Sequence, residues 1–136
     1  MAYSGSCLCG AVHYSSNADA VFQGNCYCKD CHKESGSGHI TAVAVPTASV
    51  HQTGETSVYD KPTDSGGVLA IHFCPKCGTT LFTRPTNAPG MTLIRAGTLD
   101  GDADVTPQMN LYAPRAPAWD PASPAIHGFP GMPPRG

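Results

Sequence analysis

Cys26-Tyr27-Cys28-Lys29-Asp30-Cys31 places three thiols within six residues, and two further cysteine groups flank it. These are Cys7-Leu8-Cys9-Gly10 near the N-terminus and Cys74-Pro75-Lys76-Cys77-Gly78 past the middle, so all seven cysteines fall in three tight groups. Seven is odd, so a pure disulfide framework would leave one thiol unpaired. C-x-C and C-x-x-C spacing in a chain without a secretion signal points to metal binding or redox chemistry instead. The rest of the chain reads as scaffold for these groups.

Working outward, the segments between the cysteines are short, apolar and bounded by turn residues. Ala11–Tyr14, Val21–Asn25, His39–Val45, Val68–Phe73, Thr79–Arg84, Met91–Ala96 and Gln108–Tyr112 are strand candidates. Val50–Gln52 and Ser57–Tyr59 flank Thr53-Gly54-Glu55 at a spacing that suggests a turn or hairpin. Val68–Phe73 runs into Cys74 and Thr79–Arg84 leaves Gly78, so Cys74 to Gly78 is a knuckle between two strands.

From Ala113 to Gly136 seven of the thirteen prolines accumulate, which bars regular helix or sheet there; Trp119 and Phe129 are its expected anchors to the core. The expected fold is mainly β: one domain over 1–136, a small zinc-bound sheet with a Pro-rich tail at 113–136 packing on the core.

Composition narrows the function. Eight Lys and Arg against ten Asp and Glu, with no basic run, give a net charge of -2 and argue against nucleic acid as a partner. The first residues have neither a charged nor an apolar leader segment, and no run approaches the ~18 apolar residues of a membrane span, so no membrane partner and a cytoplasmic location are expected.

Four thiolates complete a closed tetrahedral zinc shell, whereas three protein ligands leave a position open, and seven cysteines divide into four plus three. Both outer groups end in Gly, as Cys9-Gly10 and Cys77-Gly78. A Gly after the second thiolate can take positive φ and turn backbone N–H groups toward the sulfurs, as a zinc knuckle requires. Cys7, Cys9, Cys74 and Cys77 are therefore the expected structural site. Cys26, Cys28 and Cys31 lack that Gly and are dense enough to converge on one cation with an exchangeable position for water or a substrate thiol. The alternatives are a closed site with His32 or His39 as fourth ligand, or a free, oxidation-prone triad. No role is assigned to His13, His51, His72 or His127, and Asp100, Asp102 and Asp104 read as a solvated acidic turn.

Gly5-Ser6-Cys7-Leu8-Cys9-Gly10-Ala11-Val12-His13-Tyr14, the central C-x-C-x-x-C followed by Ser35-Gly36, Phe73-Cys74-Pro75-Lys76-Cys77-Gly78-Thr79 with Leu81-Phe82, Ala96-Gly97-Thr98-Leu99-Asp100 and Trp119-Asp120 together carry a resemblance. The chain resembles the glutathione-dependent formaldehyde-activating enzyme family, which also includes centromere protein V. The resemblance implies a β-rich, tent-like fold with two zinc ions per chain, structural on the outer cysteines and catalytic on Cys26, Cys28 and Cys31. It also implies glutathione and formaldehyde as partners, joined as S-(hydroxymethyl)glutathione by a carbon–sulfur lyase or synthase. Where the family often has His before and between the first two central cysteines and Arg or Lys after the third, this chain has Asn25, Tyr27 and His32. The stretch Pro117-Ala118-Trp119 is expected to form one wall of the pocket. Lys29, Lys33, Arg84, Arg95 and Arg115 are the candidate cations for glutathione's two carboxylates.

The contrasting function is a non-catalytic, zinc-stabilised module that carries glutathione or binds protein. A fourth protein ligand such as His32 would favour it, and an open position would favour the enzyme. Chromatin association, suggested by the centromere relative, is opposed by the charge balance.

Overall fold

The computed structural model describes residues 2–101 and 103–132, so Asp102 and the last four residues of the tail lie outside the description. The described residues form eleven strands, one α-helix and three 3-10 turns, and the chain is mainly β as its composition predicts. They divide into two compact units. One comprises Met1–Val21 and Val43–Asp104, the other Phe22–Ala42 and Val105–Gly136. The division falls inside strand β4 (Ile40–Pro46).

In the first unit β1 (Tyr3–Ser6), β2 (His13–Ser16) and β5 (Val50–Thr53) form an antiparallel sheet in the order β1-β2-β5. β6 (Ser57–Pro62), β7 (Val68–Phe73), β8 (Thr80–Pro85) and β9 (Met91–Arg95) form an antiparallel meander. Gly54 makes the expected turn at φ 83°, but β5 pairs with β2 and β6 with β7, so the two are not a hairpin. The β7–β8 register shifts between His72 and Phe73, an irregularity that bends the strand as it enters the cysteine knuckle.

β8 is deeply buried. Leu81, Phe82 and Thr83 are consecutive and almost fully buried, so both faces of β8 are covered, which is why the segment reads as a continuous rather than an alternating run. Phe82 meets Tyr14 edge-on at 6.0 Å and stacks on His72 at 4.8 Å, with the Arg84 guanidinium 4.7 Å above its ring. Arg84 Nε also donates to the buried Thr92 hydroxyl at 3.1 Å. This candidate cation is thus engaged in packing.

The Tyr14 hydroxyl lies 2.6 Å from Thr98 Oγ1. Burial pushes the phenol up to about 12, with Asp100 adding to the rise against the opposing bond to Thr98. A folded pKa above the ordinary value of about 10 gives stability that is fully present below pH ~10 and lost as pH rises toward ~12. We expect a loss on the order of 2–3 kcal/mol across that window. Tyr14→Phe should remove that part of the alkaline slope, as read from urea midpoints on either side of the window.

In the second unit β3 (Phe22–Cys26) pairs in parallel with β10 (Met109–Leu111), and β10 with the two-residue β11 (His127–Gly128). A short helix, α1 (Lys29–Ser35), follows β3. The tail therefore contributes strand after all: Ala113 N donates to Phe129 O and Phe129 N to Asn110 O, and neither donor is a proline. Phe129 is half-buried, but Trp119 is 71% exposed and does not act as the expected anchor.

Asn25 and Asn110 stand opposite one another on β3 and β10, both buried. Asn25 Nδ2 donates to Asn110 Oδ1 at 3.0 Å, Thr41 Oγ1 donates to Asn25 Oδ1 at 2.6 Å, and Asn110 Nδ2 donates to Ser123 O at 3.2 Å. The amides satisfy one another, as burial demands. Among the described residues no helix is long and apolar enough to cross a membrane.

Candidate metal centres

In the first unit Cys7 and Cys9 follow β1, and Cys74 and Cys77 lie between β7 and β8. Their four sulfurs all lie within 4.8 Å of one another. Cys7 Sγ is 3.7 Å from Cys9 Sγ, and Cys9 Sγ is 3.8 Å from Cys74 Sγ. A tetrahedron with metal–sulfur bonds of about 2.3 Å has edges of about 3.8 Å.

The two knuckles share one construction. Gly10 and Gly78 take φ 79° and 80°, a conformation glycine adopts without strain. Cys7 N donates to Val12 O and Cys74 N to Thr79 O, which closes each loop five residues on. The turned backbone points N–H groups at sulfur: Val12 N is 3.3 Å from Cys7 Sγ and Lys76 N is 3.4 Å from Cys74 Sγ. Hydrogen bonds from the Thr79 hydroxyl and amide hold Cys77 down at about 5. The Ala11 amide favours the Cys9 thiolate, but burial and the neighbouring thiols raise Cys9 to about 11.

The second unit holds the other group. Cys26 ends β3, Cys28 caps α1, and Cys31 lies in its first turn. The Cys28 sulfur accepts from Cys31 N at 3.3 Å and stands 3.1 Å from Cys31 Sγ. All three sulfurs lie within 4.8 Å of one another, and all three residues are half-buried. Cys28 pushes the Cys26 thiol up to about 11, and Cys26 and Cys28 push Cys31 up in turn. Three adjacent sulfurs resist carrying three negative charges unless a cation shares them, and an all-thiolate donor set selects soft metals. The donor chemistry of both groups fits a metal ion.

The sequence-predicted division into four plus three thus corresponds to two real clusters. His32 and His39 stand outside the sulfur group. His32 Nε2 is buried and is the one buried side-chain nitrogen or oxygen without a hydrogen-bond partner among the described residues. His39 turns instead to Asp120, with Nδ1 2.5 Å from Oδ2. Its ring stacks on Tyr27 at 4.7 Å and 28°. This contact was not legible in the sequence, because 81 residues separate the partners; the Trp119-Asp120 pair was its one trace. Of the candidate cations, Lys29, Lys33 and Arg115 belong to the unit with the thiol triad and are exposed, whereas Arg84 and Arg95 belong to the other.

A mainly β chain with a four-cysteine group in one unit and a three-cysteine group in the other defines a class of small protein able to hold metal through sulfur. The chain belongs to the glutathione-dependent formaldehyde-activating enzyme family, whose model matches residues 2–115. A Halomonas elongata protein, provisionally named a glutathione-dependent formaldehyde-activating enzyme, is 30% identical over 127 residues, covering 88% of this chain and 80% of its own. A Schizosaccharomyces pombe protein named an uncharacterised lyase is 27% identical over 104 residues, covering 76% and 73%. A crystal structure of a Rhodobacter sphaeroides protein superposes with a TM-score of 0.58 at 19% identity, covering 74% of this chain and 90% of that one, and so supports the fold. Family membership supports an enzymatic role.

Proposed function

We propose that this protein is a zinc-dependent carbon–sulfur lyase or synthase that joins a thiol to an aldehyde, with glutathione and formaldehyde as the pair the family name supplies. The observation that carries the reading is the half-buried triad Cys26, Cys28 and Cys31, whose sulfurs lie within 4.8 Å of one another in a group that takes in no other His, Cys, Asp or Glu among the described residues. Zinc bound there supplies an open coordination position that favours a substrate thiol as thiolate. Cys28 and Cys31 are held on one helical turn, which fixes two ligands before any ion arrives. Lys29, Lys33 and Arg115 offer positive charge to the carboxylates of glutathione. Cys7, Cys9, Cys74 and Cys77 hold a second, structural zinc. The chain acts in solution, in the cytoplasm, on small molecules.

One observation favours a second reading, in which His32 closes the triad and the protein is a non-catalytic carrier: its Nε2 is buried and unpartnered. Metal content and NMR exchange of the glutathione–formaldehyde equilibrium decide between them. The wild type should bind two zinc ions and accelerate exchange. Cys28→Ala should retain one ion and lose at least about a hundredfold in rate, the scale expected when a group that activates the nucleophile is removed. Two bound ions with exchange at the uncatalysed rate would overturn the enzyme reading for this substrate pair.

A further inference from the structure

Asp120, His39 and Tyr27 form a line of contacts in the second unit that metal binding does not explain. Asp120 Oδ2 lies 2.5 Å from His39 Nδ1, with side chains 25% and 28% exposed. The Asp120 amide is tied to Pro117 O at 2.9 Å, which fixes the carboxylate's segment. Any side chain at Gly38 would run into that carboxylate, so the residue before His39 leaves room for it. On its other side the imidazole stacks on Tyr27, which is 3% exposed and separates Cys26 from Cys28 in the sequence. His39 Nε2 makes no hydrogen bond to any described residue. A carboxylate on Nδ1 fixes the proton there and leaves Nε2 as an acceptor.

We propose that His39 is the proton carrier of the reaction and that Asp120 is its positioning residue; this rests on the carbon–sulfur reading given above. The thiol S–H bond breaks and its proton passes to His39 Nε2. The freed sulfur lone pair forms the bond to the aldehyde carbon, the C=O π pair moves onto oxygen, and His39 returns the proton to that oxygen. Thiol and aldehyde become the hydroxyalkyl thioether, the imidazole ends neutral, and no further reactant is consumed. The reverse sequence cleaves the adduct.

Three readouts on the zinc-loaded full chain test the assignment, with glutathione and formaldehyde as probes. Long-range 1H–15N correlation should find the His39 proton on Nδ1, and Asp120→Asn should shift population to the Nε2–H form. Calorimetry in buffers of different ionisation enthalpy should show that the wild type keeps the thiol's proton when glutathione binds, whereas His39→Gln releases it to the buffer. His39→Gln should lower kcat by about 10²–10⁴-fold, the usual contribution of a positioned acid–base group, with KM for glutathione little changed. A His39 ring protonated on Nε2 in the wild type overturns the proposal even if the variants fail to fold. An active wild type whose His39→Gln variant holds two zinc ions and keeps its kcat overturns the dyad alone. A wild type that leaves exchange at the uncatalysed rate removes the reaction itself, and the dyad's role with it.

Discussion

Cys74→Ser is expected to cost the protein one metal ion and more than about 4 kcal/mol of stability, the range reached when a metal site is lost. Cys74 is fully buried, with its sulfur 3.8 Å from that of Cys9. The ligands come from β1's end and from the β7–β8 knuckle, so one ion would tie segments about 65 residues apart in sequence. Without it the buried thiols cluster with no shared cation, and the N–H groups aimed at sulfur lose the charge that made their bonds strong. Zinc in isolated fingers contributes about 10–16 kcal/mol; a unit with its own apolar core depends on it less. Elemental analysis with urea denaturation checks the result. Retention of two ions, or a midpoint unchanged from wild type, would refute the structural assignment of this quartet. Cys28→Ala serves as the contrast, losing its ion with a smaller change in midpoint.

Phe82→Ala should destabilise the first unit by about 3–5 kcal/mol through lost transfer energy and the cavity left behind. The ring is fully buried on β8, and Tyr14, His72 and Arg84 each rest against it. None of the three can follow an alanine inward without giving up its own bond: Tyr14 to Thr98, His72 to Thr56, Arg84 to Thr92. The melting temperature should fall by more than about 10 °C for a unit of this size. Calorimetry with metal held in excess separates this loss from metal loss. A fall of only a degree or two would show that the surrounding side chains collapse into the space.

How legible was this in the sequence? The β7–knuckle–β8 segment was plain, because β-branched runs on both sides and a Gly after the second thiolate leave the chain few other courses. The grouping of the sulfurs was legible too, from the Gly that ends both outer groups and is missing from the central one. Helix α1 was not: Lys29 to Ser35 has no apolar stripe and buries no residue, and its ends rest on the Cys28 sulfur and on Gly36 at φ 67°. The turn at Gly54 was legible and the partners of its flanking strands were not, because a turn fixes the direction of the chain and not the sheet each strand joins. Asn25–Asn110 and His39–Asp120 are pairs more than 80 residues apart, each made by the register of strands or by a tail turn. Asn25 is held in its buried place by bonds to Asn110 and Thr41.

The two sulfur groups belong to different units and differ in ligand number, four thiols against three, which would separate the supply of metal from the integrity of the chain. With an ion in each, the three-thiol group would empty first under scarcity, while the closed four-thiol group would keep its own. Such a protein would stay folded through a shortage, fall silent, and resume work on resupply without being made again.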